Sequence, residues 1–197
     1  MYETIIENTH ESTVNVSGNK ITSLRNTATH TTAVRFYKDN RVSVAGQEGA
    51  ADVPKLIKRA ETDLPVCGVP YPCMLEKNVK HVDRRKNPIA PETFLDAMRD
   101  LLDRIQKVAP QFIFGNKLKR IESALSYTNT AGADLYSVAD RLEIGLTIKE
   151  RTSANIMDLS YGGTLDYFDP QAIVDDITDL AAAYSRRVEL PTDIPVI

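Results

Sequence analysis

The feature that most constrains this chain is a period of two that recurs in several segments and gives way, twice, to a helical period. Leu142, Ile144, Leu146 and Ile148 alternate with Arg141, Glu143, Thr147 and Lys149. Successive side chains of a strand point to opposite faces, so all four aliphatic groups share one face. Val14 and Val16, Val34 and Phe36, and Val42 and Val44 alternate in the same way, and Ile121, Leu125 and Tyr127 lie on one strand face. Gly18-Asn19 and Asp39-Asn40 punctuate the first set as hairpin turns. Such patterns belong to an antiparallel sheet with one face in water.

Each strand run ends in a helix. Asp52 stands at an N-cap position, and Leu56, Ile57, Ala60 and Leu64 follow at helical spacing. Asp169-Pro170 offers a cap and then a proline at the first helical position, ahead of Ile173, Ile177, Leu180 and Tyr184. Between the runs, Phe94, Leu95, Met98, Leu101, Leu102 and Ile105 form one apolar stripe, opened by Pro91 and stopped by Pro110. The expected class is α+β: two strand-rich units, mainly antiparallel, each followed by a helix, with a further helix between them.

The units are expected at residues 1–64 and 117–187, joined by a connector and helix over 65–116. Five prolines (Pro65, Pro70, Pro72, Pro88 and Pro91) fall in residues 65–91. Asn26-Thr27-Ala28 and Asn129-Thr130-Ala131 each lead into a strand and then a helix, which suggests a structural repeat. In the second unit, Asn129 to Gly132 reads as a turn. Ile156 to Tyr161 reads as a further strand, ended by a Gly162-Gly163 turn.

Composition excludes several classes. A chain of 197 residues can bury a substantial core. Its 24 Lys and Arg against 27 Asp and Glu leave a net charge of -3, so no domain-wide nucleic-acid footprint is expected. No apolar run is long enough to span a bilayer. Met1 to Asn15 lacks the basic and apolar segments of a signal peptide. The expectation is a cytoplasmic protein with no membrane partner.

No catalytic constellation is complete. His10-Glu11 would need a second imidazole at position 14 or 15 to make a zinc-peptidase motif, and Val14 and Asn15 stand there. Cys67 and Cys73, with His81 the nearest imidazole, are too few for a zinc site, and a reducing compartment disfavours their disulfide. Lys77, Lys80, His81, Arg84, Arg85 and Lys86 form a basic run that Glu76 and Asp83 interrupt, which reads as a solvated connector. Gly162-Gly163 lacks the lysine of a phosphate loop. Asp175, Asp176 and Asp179 read as a wet helix face. No catalytic or metal-binding residue is therefore expected in this chain, and the sequence singles out no peptide-binding residue.

The run Val14-Asn-Val-Ser-Gly-Asn-Lys-Ile-Thr-Ser-Leu-Arg25 resembles the opening of the TldD/PmbA family. Ala33-Val-Arg-Phe-Tyr-Lys-Asp-Asn-Arg-Val-Ser-Val-Ala45 resembles that family's next hairpin, with Asp39-Asn40 where Asp-Gly is usual. Asn129-Thr-Ala-Gly-Ala133 resembles a turn of its second sheet segment, and Leu190-Pro-Thr-Asp-Ile-Pro-Val-Ile197 looks like the junction to its C-terminal domain. The family includes zinc metallopeptidases and silent partner subunits, once described as modulators of DNA gyrase.

The resemblance implies that residues 1–187 are an N-terminal domain and that 188–197 begin a linker. It implies a non-catalytic role in forming a homo- or heterodimer and a chamber that admits unfolded peptide. The family's His-Glu-x-x-x-His motif is absent here, so zinc is expected only in the family's C-terminal domain, no cofactor is expected in this chain, and no reaction is assigned to it. The sheet around Leu142 to Ile148 is the element expected to meet peptide. The alternatives are a purely structural assembly domain without substrate contact, and a small-molecule site assembled across the two units.

Overall fold

The four aliphatic side chains of the clearest alternating segment lie at the centre of the main core: Leu142, Ile144, Leu146 and Ile148 are all buried. The computed structural model describes residues 1–71, 75–86, 89–165 and 167–186. The elements in chain order are β1 (Tyr2–Ser17), β2 (Lys20–Lys38), β3 (Arg41–Glu48), α1 (Val53–Cys67), β4 (Val69–Pro70), β5 (Val79–Asp83), α2 (Pro91–Val108), β6 (Phe112–Asn129), β7 (Asp134–Glu150), β8 (Leu159–Leu165) and α3 (Pro170–Ser185). The class is α+β, as the sequence predicts.

The two strand runs form one continuous sheet. Its order is β4-β3-β2-β1-β6-β7-β5, with β8 also on β7. The seam is the antiparallel pair β1 and β6, in register from Glu3 opposite Asn129 to Val16 opposite Asn116. β1 and β2 form a long hairpin, as do β6 and β7. The β1–β2 and β2–β3 turns have the left-handed backbone that two-residue hairpins require, at Gly18 and Asn19 (φ 59° and 68°) and at Asp39 and Asn40 (52° and 55°). A register shift between Asn15 and Val16 sets Ile21 opposite Val16 and turns it toward the core.

Cross-strand pairing places the three described helices on one face. Val14, Leu118 and Ile144 are mutual neighbours across β1, β6 and β7, and pack with Phe94, Met98 and Ile105 of α2 and Ile173 and Ile177 of α3. Farther along the same face, Val34 and Ala45 pack against Leu56 and Ala60 of α1. Asp52 caps α1 by accepting from the Lys55 amide, and Asp169 caps α3 by accepting from the Gln171 and Ala172 amides. α2 starts without a side-chain cap at Ala90.

Several expectations are corrected. Asn26 lies inside β2, whereas Asn129 ends β6 at a turn, so the two Asn-Thr-Ala triplets occupy different places. Val42 and Val44 do not face the helices. The two-residue turn sets Val42 opposite Tyr37 and Val44 opposite Arg35, so Ser43 and Ala45 meet α1 instead. Ser43 Oγ donates to the Ala60 carbonyl, and Val44 is 59% exposed.

Residues 65–91 are more than a connector: α1 runs on through Pro65 to Cys67, and β5 pairs in parallel with β7. The second run of strands begins at Phe112, ahead of the expected Lys117. Ile156 is 97% exposed on the β7–β8 loop and belongs to no strand. Gly162 and Gly163 lie inside β8. A Cβ on Gly162 would come within 2.7 Å of the Ile144 carbonyl oxygen, so this close strand contact requires glycine. Cys73, Arg187 and residues 188–197, with the expected linker, lie outside the described residues.

Candidate functional site: a polar groove on the helix side of the sheet

The helix-covered face is not apolar throughout. Between the core beneath α2 and α3 and the smaller one beneath α1, the middle of the sheet carries polar side chains. His10 pairs with Ala28 on one side and Glu122 on the other, and Ser12 with Asn26 and Arg120. Members of such pairs project to the same face. Together with Thr27 and Pro91 at the start of α2, they line an open groove of about 460 Å³. That volume lies in the range of small-ligand clefts, about 300–1,000 Å³. Beyond it toward α1, the His30 imidazole bonds Asn8 through Nδ1 (2.6 Å) and Thr32 through Nε2 (3.3 Å).

Arg120 closes one end of the groove. It is 5% exposed, and it donates from Nε to the Ile89 carbonyl (2.5 Å) and from Nη2 to Glu122 Oε2 (2.8 Å). The first bond ties β6 to the segment that leads into α2. Burying an ion pair costs desolvation, and the bonds to Ile89 and Glu122 offset it. Hydroxyl, carboxamide, imidazole and carboxylate groups thus line the groove. They can donate to and accept from an extended backbone, and they supply little apolar anchoring.

The opposite face holds a second polar cluster. Glu3 is 2% exposed and accepts from Arg35 Nη1 (3.0 Å) and Tyr127 Oη (2.5 Å). Burial, together with the Glu3 carboxylate, pushes the Tyr37 and Tyr127 phenols above their ordinary range. These groups fasten β1 to β2 and β6, and their partners leave no reactive group free.

His10 and Glu11 are adjacent on a strand and therefore point to opposite faces. His10 faces the groove. Glu11 lies on the other side, where it accepts from Thr13 Oγ1 (2.7 Å) and from Lys119 Nζ (3.5 Å). The pair does not fit a zinc ion, because one metal cannot reach both side chains through the sheet. Among the described residues, no three His, Cys, Asp or Glu side chains gather to hold a metal. Cys67 is exposed at the end of α1. Asp175 and Asp176 are indeed on the wet face of α3, accepting from Gln171 and Tyr161. No described helix is long and apolar enough to cross a membrane.

Leu142, Ile144, Leu146 and Ile148 are buried in the core, and both edges of that segment are paired, with β6 and with β8, which leaves only its other face, at Glu143, Gly145 and Thr147, open to a peptide. The groove residues escaped sequence reading because strand alternation was followed through apolar residues. The available signal was its interruption: Asn8, His10 and Ser12 occupy the alternate positions that Val14 and Val16 continue.

No protein-family model matches the sequence, and no curated protein matches it. Solved structures do match. TldE from Thermococcus kodakarensis superposes with a TM-score of 0.71 at 14% identity, over 92% of this chain and 44% of that one. A candidate modulator of a DNA gyrase from Thermotoga maritima gives 0.70 at 13% identity, again over 92% and 44%. Another such candidate, from Bacteroides thetaiotaomicron, gives 0.63 at 9% identity, over 92% and 45%. This chain thus spans less than half the length of these proteins. At these identities the likeness is one of fold, and the fold is that of TldE and the two gyrase-modulator candidates, as the TldD/PmbA resemblance implies.

Proposed function

We propose that this chain is a non-catalytic, N-terminal-type domain of a TldD/PmbA-like peptidase system, in the active or the silent subunit. In this reading it works in the cytoplasm, helps to build a homo- or heterodimer, and lines a chamber that admits unfolded peptide for proteolysis elsewhere in the assembly. The zinc chemistry belongs to a part of the system that these residues do not supply. The two runs of three strands and a helix, β1–β3 with α1 and β6–β8 with α3, act as a structural repeat around the β1–β6 seam.

The observation that carries the reading is the groove, set in a fold shared with TldE. Its open shape and polar lining suit main-chain recognition, which gives affinity with little sequence preference. Hydrogen exchange with and without a chemically unfolded, protease-resistant polypeptide tests it. Added polypeptide should slow exchange in β1 and β2 around His10 and Asn26, and in a separate assay the chain with added zinc should leave an ordinary, cleavable unfolded polypeptide intact. Cleavage by the chain alone would overturn the non-catalytic assignment. Unchanged exchange in the groove would leave the second reading, a purely structural assembly domain. The uncovered sheet face, with Val44 and Leu125 exposed, favours that second reading.

A further inference from the structure

The basic run from Lys77 to Lys86 is sorted by strand geometry into two unlike sets. On β5, His81 and Asp83 share one face, and the His81 imidazole meets Asp134 at 3.2 Å. Just past the strand, Arg85 bonds Asp83 at 2.7 Å and approaches Glu122 at 3.9 Å. That set is neutralised in place. Lys80, Val82 and Arg84 alternate with it, so they face the helix-free side. Lys80 and Arg84 are exposed and have no acidic partner among the described residues.

The two uncompensated cations flank a hollow of about 160 Å³ whose lining includes Val82, Leu125, Leu135 and Ser137. Leu125 is 43% exposed there. β5 ends the strand path, so its outer edge has no partner strand among the described residues. Four residue steps take the extended chain from Lys80 to Arg84, about 13 Å at the usual rise.

From these features we infer that β5 is a docking edge for an extended acidic segment of a partner protein. Its recognition pattern is acid-x-apolar-x-acid. The two carboxylates meet Lys80 and Arg84, and the apolar side chain between them packs against Val82 at the near rim of the hollow. Main-chain hydrogen bonds along the edge supply affinity, and the alternate side chains supply selectivity. The hollow faces away from the groove, so this inference does not rest on the groove reading.

The rival role for edge cations is to keep sheets from pairing edge to edge. Fluorescence anisotropy separates the two, using the whole chain and a short labelled peptide with the core Glu-Thr-Val-Thr-Glu. Saturable binding is expected, weakening about tenfold in a Lys80→Ser, Arg84→Ser double variant and fading as salt shortens the Debye length. A Lys80→Glu, Arg84→Glu variant should instead prefer the core Lys-Thr-Val-Thr-Lys. Both positions are exposed, and circular dichroism checks that each variant folds. No binding by the parent chain, undiminished binding by the serine variant, or tighter binding of a single-stranded oligonucleotide than of the peptide would overturn it.

Discussion

The two ends of the helix-covered face are built by different means. Beneath α2 and α3, nineteen of the described residues form one buried cluster, with Phe94, Phe112 and Phe114 the largest. Beneath α1 there are four: Val34, Ala45, Leu56 and Ala60. One end is held by bulky side chains that exclude water. The other relies on close approach, with Ala45, Ala60 and Ser43 letting the helix backbone settle near the strands. The contrast explains the groove. Two cores of unequal size leave the middle of the sheet to polar residues that neither helix layer covers.

The largest test of this contrast is Phe94→Ala. Removing a fully buried ring from the larger core should cost about 3–5 kcal/mol and lower stability across the whole chain in urea unfolding. Leu56→Ala removes the largest side chain of the smaller core and should cost about 2–3 kcal/mol. Its effect should be local, with α1 amides exchanging faster and those of β6 and β7 unchanged. Equal loss of protection at both ends would mean that the two cores act as one cooperative unit.

The caps give a finer comparison. Asp169 accepts two amide bonds, at 2.9 and 3.1 Å, whereas Asp52 accepts one at 3.2 Å. Asp169→Ala should cost about 1 kcal/mol and Asp52→Ala about half of that, read as denaturation midpoints. The smallest effect concerns Tyr161, whose phenol is pushed up to about 12 by burial and by its bond to Asp176. A raised folded pKa means that this stabilisation is complete below the ordinary value of 10. It is then lost as pH rises toward about 12, since the unfolded state gives up its proton first. Tyr161→Phe should flatten that part of the stability–pH curve, and an unchanged slope would assign the loss to other groups.

Much of the architecture was legible because local chemistry and tertiary structure agree. The stripe from Phe94 to Ile105, the caps Asp52 and Asp169, and the alternation from Leu142 to Ile148 each name an element and its buried side. Reading failed where pairing decides. Val44 looks like a core residue, yet a two-residue turn assigns it, with Val42, to the face away from α1, where Val42 is buried against Tyr37 and Val44 is exposed. Gly162 and Gly163 look like a turn, yet a close strand contact needs Gly162 within β8. β5 was hidden because a short, charged, proline-flanked strand carries no alternating apolar signal, and its order comes from β7. The groove was hidden for a related reason: its residues come from three strands and a helix start, and only the register brings them together.

The seam between β1 and β6 has a consequence for how the chain is made. β1 can pair with β2 as soon as the hairpin leaves the ribosome, because Ser17 and Lys20 are adjacent across a two-residue turn. Its other edge must wait, since the partner of Glu3 is Asn129. During that interval a sixteen-residue strand stands with one edge unpaired. Pairing over so long a sequence separation is slow to close and exposed to aggregation. The alternate positions Asn8, His10 and Ser12, of which the last two line the groove, keep the middle of that waiting strand polar and so resistant to self-pairing before synthesis reaches β6.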